Sequence, residues 1–334
     1  MWAMSGKGRL WVYLFLLLFI LSCSKEESIN DQSQYIIANS SAGVPILSIY
    51  AVGSEKLSEV TLQSVSGNDR IIDMILTPKG LFIILTNGIQ LLNQSDWSVI
   101  NSKPFIFSEP SYMAYSKGKL YVVVYENGFS YLRSFEENTL EEIDNELIGP
   151  DRVYAMIIVK NRIFISYAQT LLVLNADSFD KIGGLELLSI CADLLQNGQG
   201  DILLYYENRC TIVYNSESKL SNFNLAGAQT LSLNEVRPSV VLDRETDIIY
   251  YFQKLASTSD LVLTSFDLRK NSGLSISPSY VAGQAIYFDQ KTKNILLTAV
   301  AGNQGMVTVI DTNGKQVNRI ETPGKPIKIS FKFY

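Results

Sequence analysis

The chain from Tyr35 onward alternates short apolar runs with short polar turns. Runs such as Leu81–Leu85, residues 120–124 and Ile202–Tyr206 are rich in the aliphatic and aromatic residues that favour β-strands. No segment combines a sustained helical period with helix caps. The pattern therefore predicts an all-β chain with very little helix.

One element, a polar turn followed by an aliphatic strand, recurs along the chain. The separations between successive copies are 39, 43, 39, 46 and 47 residues, and the copies begin at Leu81, Leu120, Ile163, Ile202, Ile248 and Ile295. A second strand follows each copy after a short polar loop. A period near forty residues with four short strands per unit is typical of β-propeller blades.

The two ends of the repeat region hold different types of strand. Residues 325–331 match the innermost strand of a blade, whereas residues 35–38 match the second strand. The C-terminal strand can therefore complete the blade that the N-terminal strands begin, which removes a free sheet edge. With six internal blades, this composite blade predicts a seven-bladed propeller of four-stranded blades over residues 35–334.

The last repeat carries a family resemblance. Residues 305–317 read Gly-Met-Val-Thr-Val-Ile-Asp-Thr-Asn-Gly-Lys-Gln-Val, and residues 324–329 read Gly-Lys-Pro-Ile-Lys-Ile. A valine-rich strand ending in Asp-Thr before a Gly-x-Pro entry resembles the repeat of YVTN/YncE-like propellers. Among lipoproteins of this fold, the chain is similar to the surface propeller that binds cobalamin beside an outer-membrane vitamin B12 transporter. The resemblance implies the fold, and no binding residue carries over because no binding motif matches.

The N-terminal segment has the layout of a lipoprotein signal peptide. Lys7 and Arg9 precede an apolar run at residues 10–21, and Ile-Leu-Ser-Cys at residues 20–23 resembles a bacterial lipobox. The alternative, a transmembrane anchor, is disfavoured because twelve apolar residues are too few to span a bilayer. We therefore expect lipidation of Cys23 and attachment through acyl chains.

A polar stretch follows the lipobox. Ser-Lys-Glu-Glu at residues 24–27 resembles the export signal of Bacteroidetes-type surface lipoproteins, and serine at position 24 favours the outer membrane over the inner one. We expect residues 1–22 to be a cleaved signal peptide and residues 23–34 a lipidated flexible tether. The expected location is the outer membrane, with the protein lipid-anchored on its extracellular face.

Composition removes several kinds of chemistry. The chain has no histidine, which is the commonest metal ligand and general base and a member of the usual Ser-His and Cys-His pairs. Enzymatic activity is therefore disfavoured, haem capture through imidazole is excluded, and no cofactor is expected. Cleavage of the signal peptide would remove Lys7 and Arg9 and so change the formal charge from −5 to −7. An acidic surface repels phosphate backbones, so nucleic-acid binding is not expected.

Candidate ligand-binding residues lie in the loops that a propeller gathers on one face. These loops join the second and third strands of each blade, or one blade to the next. They contain aromatic residues followed by amides, together with residues at the blade entries: Tyr125, Asn127, Tyr167, Gln169, Tyr206, Asn208, Phe252, Gln253, Arg70, Tyr112, Arg152 and Arg237. Such a surface can stack on a planar or sugar-like ligand. The alternative is that the aromatic residues pack between blades and the amides shape turns.

Two cysteines, Cys191 and Cys210, lie at the same end of adjacent strand segments. An envelope location permits a disulfide. Our register places a third strand between them, a separation of about 9–10 Å that exceeds the reach of a disulfide unless the strand ends splay. The sequence therefore leaves two alternatives for Cys191 and Cys210, a disulfide or two buried thiols.

Two acids, Asp73 and Asp193, are expected near the propeller axis. Their carboxyl oxygens could ligate a cation. They belong to different blades, however, and nothing around them resembles a metal-binding loop, so no metal site is predicted.

Three functions compete. The first is a non-enzymatic binding module that captures a nutrient, such as a corrinoid, or a protein partner for a TonB-dependent receptor. The second is a protein-interaction scaffold in the envelope, which a flat apolar face would favour. The third, a propeller lactonase or lyase, is disfavoured by the missing histidine and by the absence of a recognisable catalytic cluster.

Overall fold

The computed structural model describes residues 33–41, 43–53, 55–63, 69–106, 108–187, 189–206, 209–213, 220–224, 240–254, 261–276, 285–302 and 304–332. This part of the chain contains 28 β-strands and no helix. None of it therefore has the length and apolarity that a membrane-crossing helix needs.

The strands follow one another with short turns. In chain order they are β1 (Gln34–Ser41), β2 (Val44–Ala51), β3 (Lys56–Thr61), β4 (Ile71–Leu76), β5 (Leu81–Leu85), β6 (Gly88–Leu92), β7 (Val99–Pro104), β8 (Glu109–Ser116), β9 (Lys119–Glu126), β10 (Phe129–Glu136), β11 (Glu142–Gly149), β12 (Val153–Val159), β13 (Arg162–Tyr167), β14 (Thr170–Asn175), β15 (Lys181–Glu186), β16 (Asp193–Gln196), β17 (Ile202–Tyr206), β18 (Arg209–Val213), β19 (Leu220–Asn224), β20 (Val240–Asp243), β21 (Ile248–Lys254), β22 (Leu261–Asp267), β23 (Ser272–Ser275), β24 (Ala285–Asp289), β25 (Asn294–Ala301), β26 (Gln304–Ile310), β27 (Gln316–Thr322) and β28 (Lys325–Lys332).

The described strands form seven antiparallel sheets of four strands each. Six sheets use consecutive strands: β4 to β7, β8 to β11, β12 to β15, β16 to β19, β20 to β23 and β24 to β27. The remaining sheet has the order β28-β1-β2-β3 and joins both ends of the repeat region. The predicted all-β propeller with four-stranded blades is confirmed.

The sheet that joins the two ends is held by a long antiparallel pairing. Tyr35 lies opposite Phe331, and Ala38 lies opposite Lys328. The rings of Tyr35 and Phe331 meet edge to face, with centroids 5.8 Å apart. Such aromatic pairs add about 0.5–1.5 kcal/mol beyond the burial of their surface.

The core lies between neighbouring blades, which explains why the second strands are apolar without alternation. In β5, Leu81, Ile83 and Leu85 pack against the blade that contains Ile36. Phe82 and Ile84, which point to the opposite face, pack against the next blade around Val122. Both faces of the strand are therefore buried, and each fully buried aliphatic side chain contributes about 1.5–3 kcal/mol.

A turn between the third and fourth strands recurs with a large residue in the left-handed conformation. Trp97, Leu140 and Phe179 have φ angles of 59°, 56° and 60° and are buried in the clusters between blades. Each donates its backbone N–H to the carbonyl of the residue four positions earlier. Burial of the large side chain offsets the backbone strain that a positive φ imposes on it.

Candidate functional site

Two faces of the propeller carry different turns, because neighbouring strands in each sheet run antiparallel. One face holds the turns between second and third strands and the connections between blades. We name it the connection face. The opposite face holds the remaining turns. Residues on the connection face lie in loops around the axis, where propellers commonly bind ligands.

The connection face carries a stacked pair, Arg152 on Tyr125. The guanidinium carbon of Arg152 lies 4.2 Å from the centroid of the Tyr125 ring. Arg152 also donates to Glu109, with 2.7 Å between Nη2 and Oε2, and Glu109 lies opposite Tyr125 in the β8–β9 register. The side chains of Arg152 and Glu109 are 55% and 68% exposed. Together these residues make a planar, nearly neutral surface that a ligand can reach; we name it the Tyr125–Arg152 site.

Two exposed apolar residues lie on the connection face, one in the β7–β8 connection and one just after the β9–β10 turn. Ile106 is 70% exposed and Phe129 is 41% exposed. Phe129 lies opposite Glu126 in the β9–β10 pairing, and Ser108, two residues after Ile106, donates to Glu126 at 2.8 Å. The repeat pattern predicts neither residue, because Ile106 lies in a connection between two blades and Phe129 directly follows the Asn127-Gly128 turn.

Tyr112 and Tyr167 serve mainly to link blades. The Tyr112 hydroxyl donates to the carbonyl of Tyr154 on the next inner strand. The Tyr167 hydroxyl oxygen accepts a hydrogen bond from the backbone N–H of Asp151 at 3.3 Å. The same oxygen lies so close to Gly149 that a Cβ added there would be only 2.1 Å away from it. Both rings are part-buried in the same cluster between blades.

The predicted ring of aromatic ligand contacts is wrong at Tyr206 and Phe252. Tyr206 is 4% exposed and packs with Leu171 and Leu204, and Phe252 is fully buried with Leu263 and Ile286. Both side chains complete the apolar packing between neighbouring blades. They cannot contact a ligand on the connection face.

The predicted amides and cations are spread over the structure. Asn127 is exposed at a φ of 52°, which shapes its turn, and Gln169 is exposed. Gln253 accepts a hydrogen bond from the Thr264 hydroxyl at 3.0 Å. Arg70 is exposed, and its backbone N–H donates to the Thr86 hydroxyl oxygen at 2.8 Å. Asn208 and Arg237 lie outside the described residues.

Cys191 carries a free, buried thiol that donates to the carbonyl of Asp193 at 3.0 Å. The next residue, Ala192, donates its N–H to the carbonyl of Tyr205, and Tyr205 lies opposite Cys210. Strand β17 therefore separates the two cysteines, as the sequence register requires. The side chain of Cys210 is outside the described part of the chain. Burial raises the pKa of Cys191 to about 12, so this thiol is unreactive at neutral pH.

Near the axis, Asp73 is paired with a lysine of the protein. The Lys328 ammonium lies 2.7 Å from Asp73 Oδ1, and the backbone N–H of Met113 donates to Asp73 Oδ2 at 3.3 Å. Among the described residues, no group of three or more potential acidic or thiol ligands comes together around a metal position.

The chain is similar to known proteins in its structure but matches none of them in sequence. No protein-family model matches the chain, and no curated protein matches its sequence. A quinonprotein alcohol dehydrogenase-like protein from Bacteroides thetaiotaomicron has a TM-score of 0.69 at 12% identity, over 90% of this chain and 78% of that chain.

Two further solved structures show the same architecture. A putative 6-phosphogluconolactonase from Bacteroides fragilis has a TM-score of 0.68 at 10% identity, over 92% of this chain and 100% of that chain. AztD from Citrobacter koseri has a TM-score of 0.61 at 12% identity, over 90% of this chain and 98% of that chain. At these identities the likeness shows the β-propeller fold alone.

Proposed function

We propose that the protein is a non-enzymatic, lipid-anchored propeller that binds its ligand at the Tyr125–Arg152 site on the connection face. The observation that carries this proposal is the exposed stack of Arg152 on Tyr125, held in place by Glu109. One face of the Arg152 guanidinium stacks on the Tyr125 ring, and its other face can stack on a second planar group.

The charges of the site favour a planar ligand of low net charge. Glu109 neutralises Arg152, so a strongly anionic ligand would have to displace a carboxylate that is already bound. Ile106 and Phe129 offer exposed apolar surface elsewhere on the connection face. A corrinoid, which combines a large flat ring with amide side chains, has this chemistry, and the resemblance to the cobalamin-binding propeller supports the same choice.

The cellular role follows from the N-terminal segment. Cys23 would place the propeller on the outer membrane, on the extracellular face, where a ligand-binding propeller can serve a TonB-dependent receptor as an accessory. The lipobox pattern and the Ser-Lys-Glu-Glu stretch support this location.

A ring of seven blades closed by both termini belongs to this proposal. The seven four-stranded sheets of the described strands and the pairing of β28 with β1 support it. A closed ring fixes the loops of the connection face relative to one another, so that separate blades can contribute to one site. Tyr125 lies in β9 of one sheet, and Arg152 lies in the connection that leads to β12 of the neighbouring sheet.

The test uses the soluble chain from residue 24 onward and cyanocobalamin as the probe. Binding is followed by quenching of the intrinsic fluorescence, in the wild type and in Tyr125→Ala and Arg152→Ala. Each substitution should weaken binding by about 1–3 kcal/mol. Val317→Ala, an exposed position on an outer strand, serves as the control and should bind as the wild type does. No binding by the wild type at millimolar probe would reject the corrinoid assignment.

A second candidate function is an envelope interaction scaffold. The exposed Ile106 and Phe129 favour it, because apolar side chains at a loop surface are common in protein interfaces. Chemical crosslinking in native membranes should then capture a TonB-dependent receptor. Loss of the crosslink in Ile106→Asp and Phe129→Asp, with no corrinoid binding by the wild type, would favour the scaffold.

A further inference from the structure

Strand β11 is the outer strand of its sheet, and it is the longest outer strand that the structure describes. It has eight residues, and the next longest, β27, has seven. Among the described strands it pairs with β10 alone. Its other edge therefore presents backbone N–H and C=O groups along which a further strand can pair.

Both faces of β11 reach solvent. All six residues from Glu142 to Leu147 are exposed. In β7 and β15, by contrast, half-buried positions lie between exposed ones. Strand β11 thus stands clear of the neighbouring blades over most of its length, which leaves room for an added strand beside it.

The exposed stretch is strongly acidic. Residues 141–146 contain four acids, which are Glu141, Glu142, Asp144 and Glu146. The chain has no lysine or arginine between Arg133 and Arg152. Arg133 itself reaches only the start of the strand, where its Nη1 lies 3.8 Å from Glu142 Oε2. Most of the negative charge on this edge therefore comes without a cation nearby in the chain.

The regular part of the β10–β11 pairing separates acidic from apolar side chains. Asp144 and Glu146 are two positions apart and project from one face. Leu147, which is 52% exposed, projects from the other face and lies opposite Tyr131. Phe129, two positions from Tyr131 on β10, shares this second face and is 41% exposed. The edge thus has an acidic side and an apolar side.

Charge decides which kind of strand fits this edge. A second copy of the chain would place four acids against the same four acids, and like charges on paired strands are destabilising. A strand with lysine or arginine at alternate positions would instead meet Asp144 and Glu146 with opposite charges. Apolar side chains at its remaining positions would lie beside Leu147.

We propose that β11 is a docking edge for an extended, basic segment of another protein, which adds to the four-stranded sheet as a fifth strand. The basic side chains of the segment pair with Asp144 and Glu146, and its apolar side chains cover Leu147. This edge lies on the outer rim of the propeller, so the proposal does not depend on a corrinoid at the Tyr125–Arg152 site.

The first test measures binding of the peptide acetyl-Lys-Val-Lys-Val-Lys-Val-Lys-amide to the full chain in detergent by isothermal titration calorimetry. Asp144→Asn combined with Glu146→Gln should weaken binding about fivefold, because two pairs of opposite charges are lost. The control combines Glu186→Gln with Glu321→Gln, two exposed acids on the outer strands β15 and β27, and should bind as the wild type does. The proposal is overturned if the wild type does not bind the peptide, or if the two variants bind it equally.

The second test separates strand addition from attraction between charges alone. Proline in place of the central valine keeps the charge of the peptide but removes one N–H and disrupts strand pairing. This peptide should bind at least about fivefold more weakly. The valine peptide should also slow hydrogen exchange of residues 142–149 and leave β15 and β27 unchanged. Equal affinity for the two peptides, or exchange that slows equally in all three strands, would overturn docking at β11.

Discussion

Lys332, at the end of β28, packs its ammonium over the ring of Trp97 in the neighbouring sheet, 5.3 Å from the ring centroid. The same ammonium donates to the carbonyl of Gln94 at 3.0 Å. Lys332 and Trp97 are both buried, at 8% exposure each. The last strand is thus fastened to the blade formed by β4 to β7 as well as paired to β1.

This fastening predicts a measurable loss of stability in Lys332→Ala. The substitution removes a cation–π contact and a charge-assisted hydrogen bond in a buried place, so we expect a loss of about 2 kcal/mol in the free energy of unfolding. Urea unfolding measures it. Lys325→Ala, on the same strand but exposed, is the control and should stay within about 0.5 kcal/mol of the wild type. Equal effects of the two substitutions would show that the contact with Trp97 carries no stability.

Gly324 predicts a second weak point at the joined ends. A Cβ at this position would lie 2.2 Å from the carbonyl oxygen of Ser40, which is backbone and cannot turn away. Gly324→Ala should therefore displace the start of β28 and cost about 2–4 kcal/mol. Gly183→Ala is the matched control, because a Cβ at Gly183 meets nothing within 4 Å. Thermal melting of both variants checks the prediction, and a wild-type melting curve for Gly324→Ala would contradict it.

Phe252 and Tyr125, two aromatic residues near the ends of second strands, should differ in how much stability their replacement by alanine costs. Phe252→Ala should cost about 3–5 kcal/mol of stability, because it leaves a cavity between two blades. Tyr125→Ala should cost clearly less than this, because Tyr125 is only partly buried and one face of its ring carries the exposed Arg152. Chemical denaturation of both variants separates the packing residue from the candidate contact. A large loss in Tyr125→Ala would mean that its ring belongs to the core.

Sequence reasoning succeeds where packing is repetitive. Strands such as Leu81–Leu85 are apolar at every position because a blade on each side buries them, and this recurs in every repeat. The starting points predicted for the second strands agree with the structure to within one residue, as for Ile295 against Asn294. Complementary strand types at residues 35 and 327 likewise predict the pairing of β1 with β28.

Sequence reasoning fails where a side chain can turn either way. Tyr125, Tyr167, Tyr206 and Phe252 all lie near the ends of similar strands, but the neighbouring blade and the local register decide which of them reach solvent. The sequence alone does not show that Glu109 pairs with Arg152, because the two are 43 residues apart and meet only through the folding of two blades. The buried Trp97 at a positive φ has no local sequence signal, because turns of that shape usually carry glycine or asparagine.

The lipid anchor remains a prediction from the N-terminal pattern. Cys23→Ala should leave the precursor uncleaved and unlipidated, because the signal peptidase and the acyl transfer both need the cysteine. Metabolic labelling with palmitate, followed by membrane fractionation, measures this. The chain from residue 24 onward should be found in the soluble fraction. Labelling of the Cys23→Ala variant at the wild-type level would reject the lipobox assignment.

Asp193 predicts how stability depends on pH. Its pKa is about 7 in the folded protein, because of burial, and about 3.9 in an unfolded chain. Between these values the folded state holds a proton that the unfolded state releases, so the contribution of Asp193 to stability falls as the pH rises from about 4 to about 7. Above pH 7 the ionised carboxyl costs about 2–4 kcal/mol relative to a neutral group.

Asp193→Asn isolates this contribution, because asparagine is neutral and can still accept the N–H of Leu194. The variant should gain stability over the wild type as the pH rises from 5 to 8, by about 2 kcal/mol or more in urea unfolding. Asp144→Asn is the matched control: Asp144 also accepts the N–H of the next residue, at 2.8 Å, but it is exposed. The control should keep a constant difference from the wild type across this range. If Asp193→Asn does the same, the carboxyl of Asp193 is already ionised at pH 5, and burial does not hold its proton.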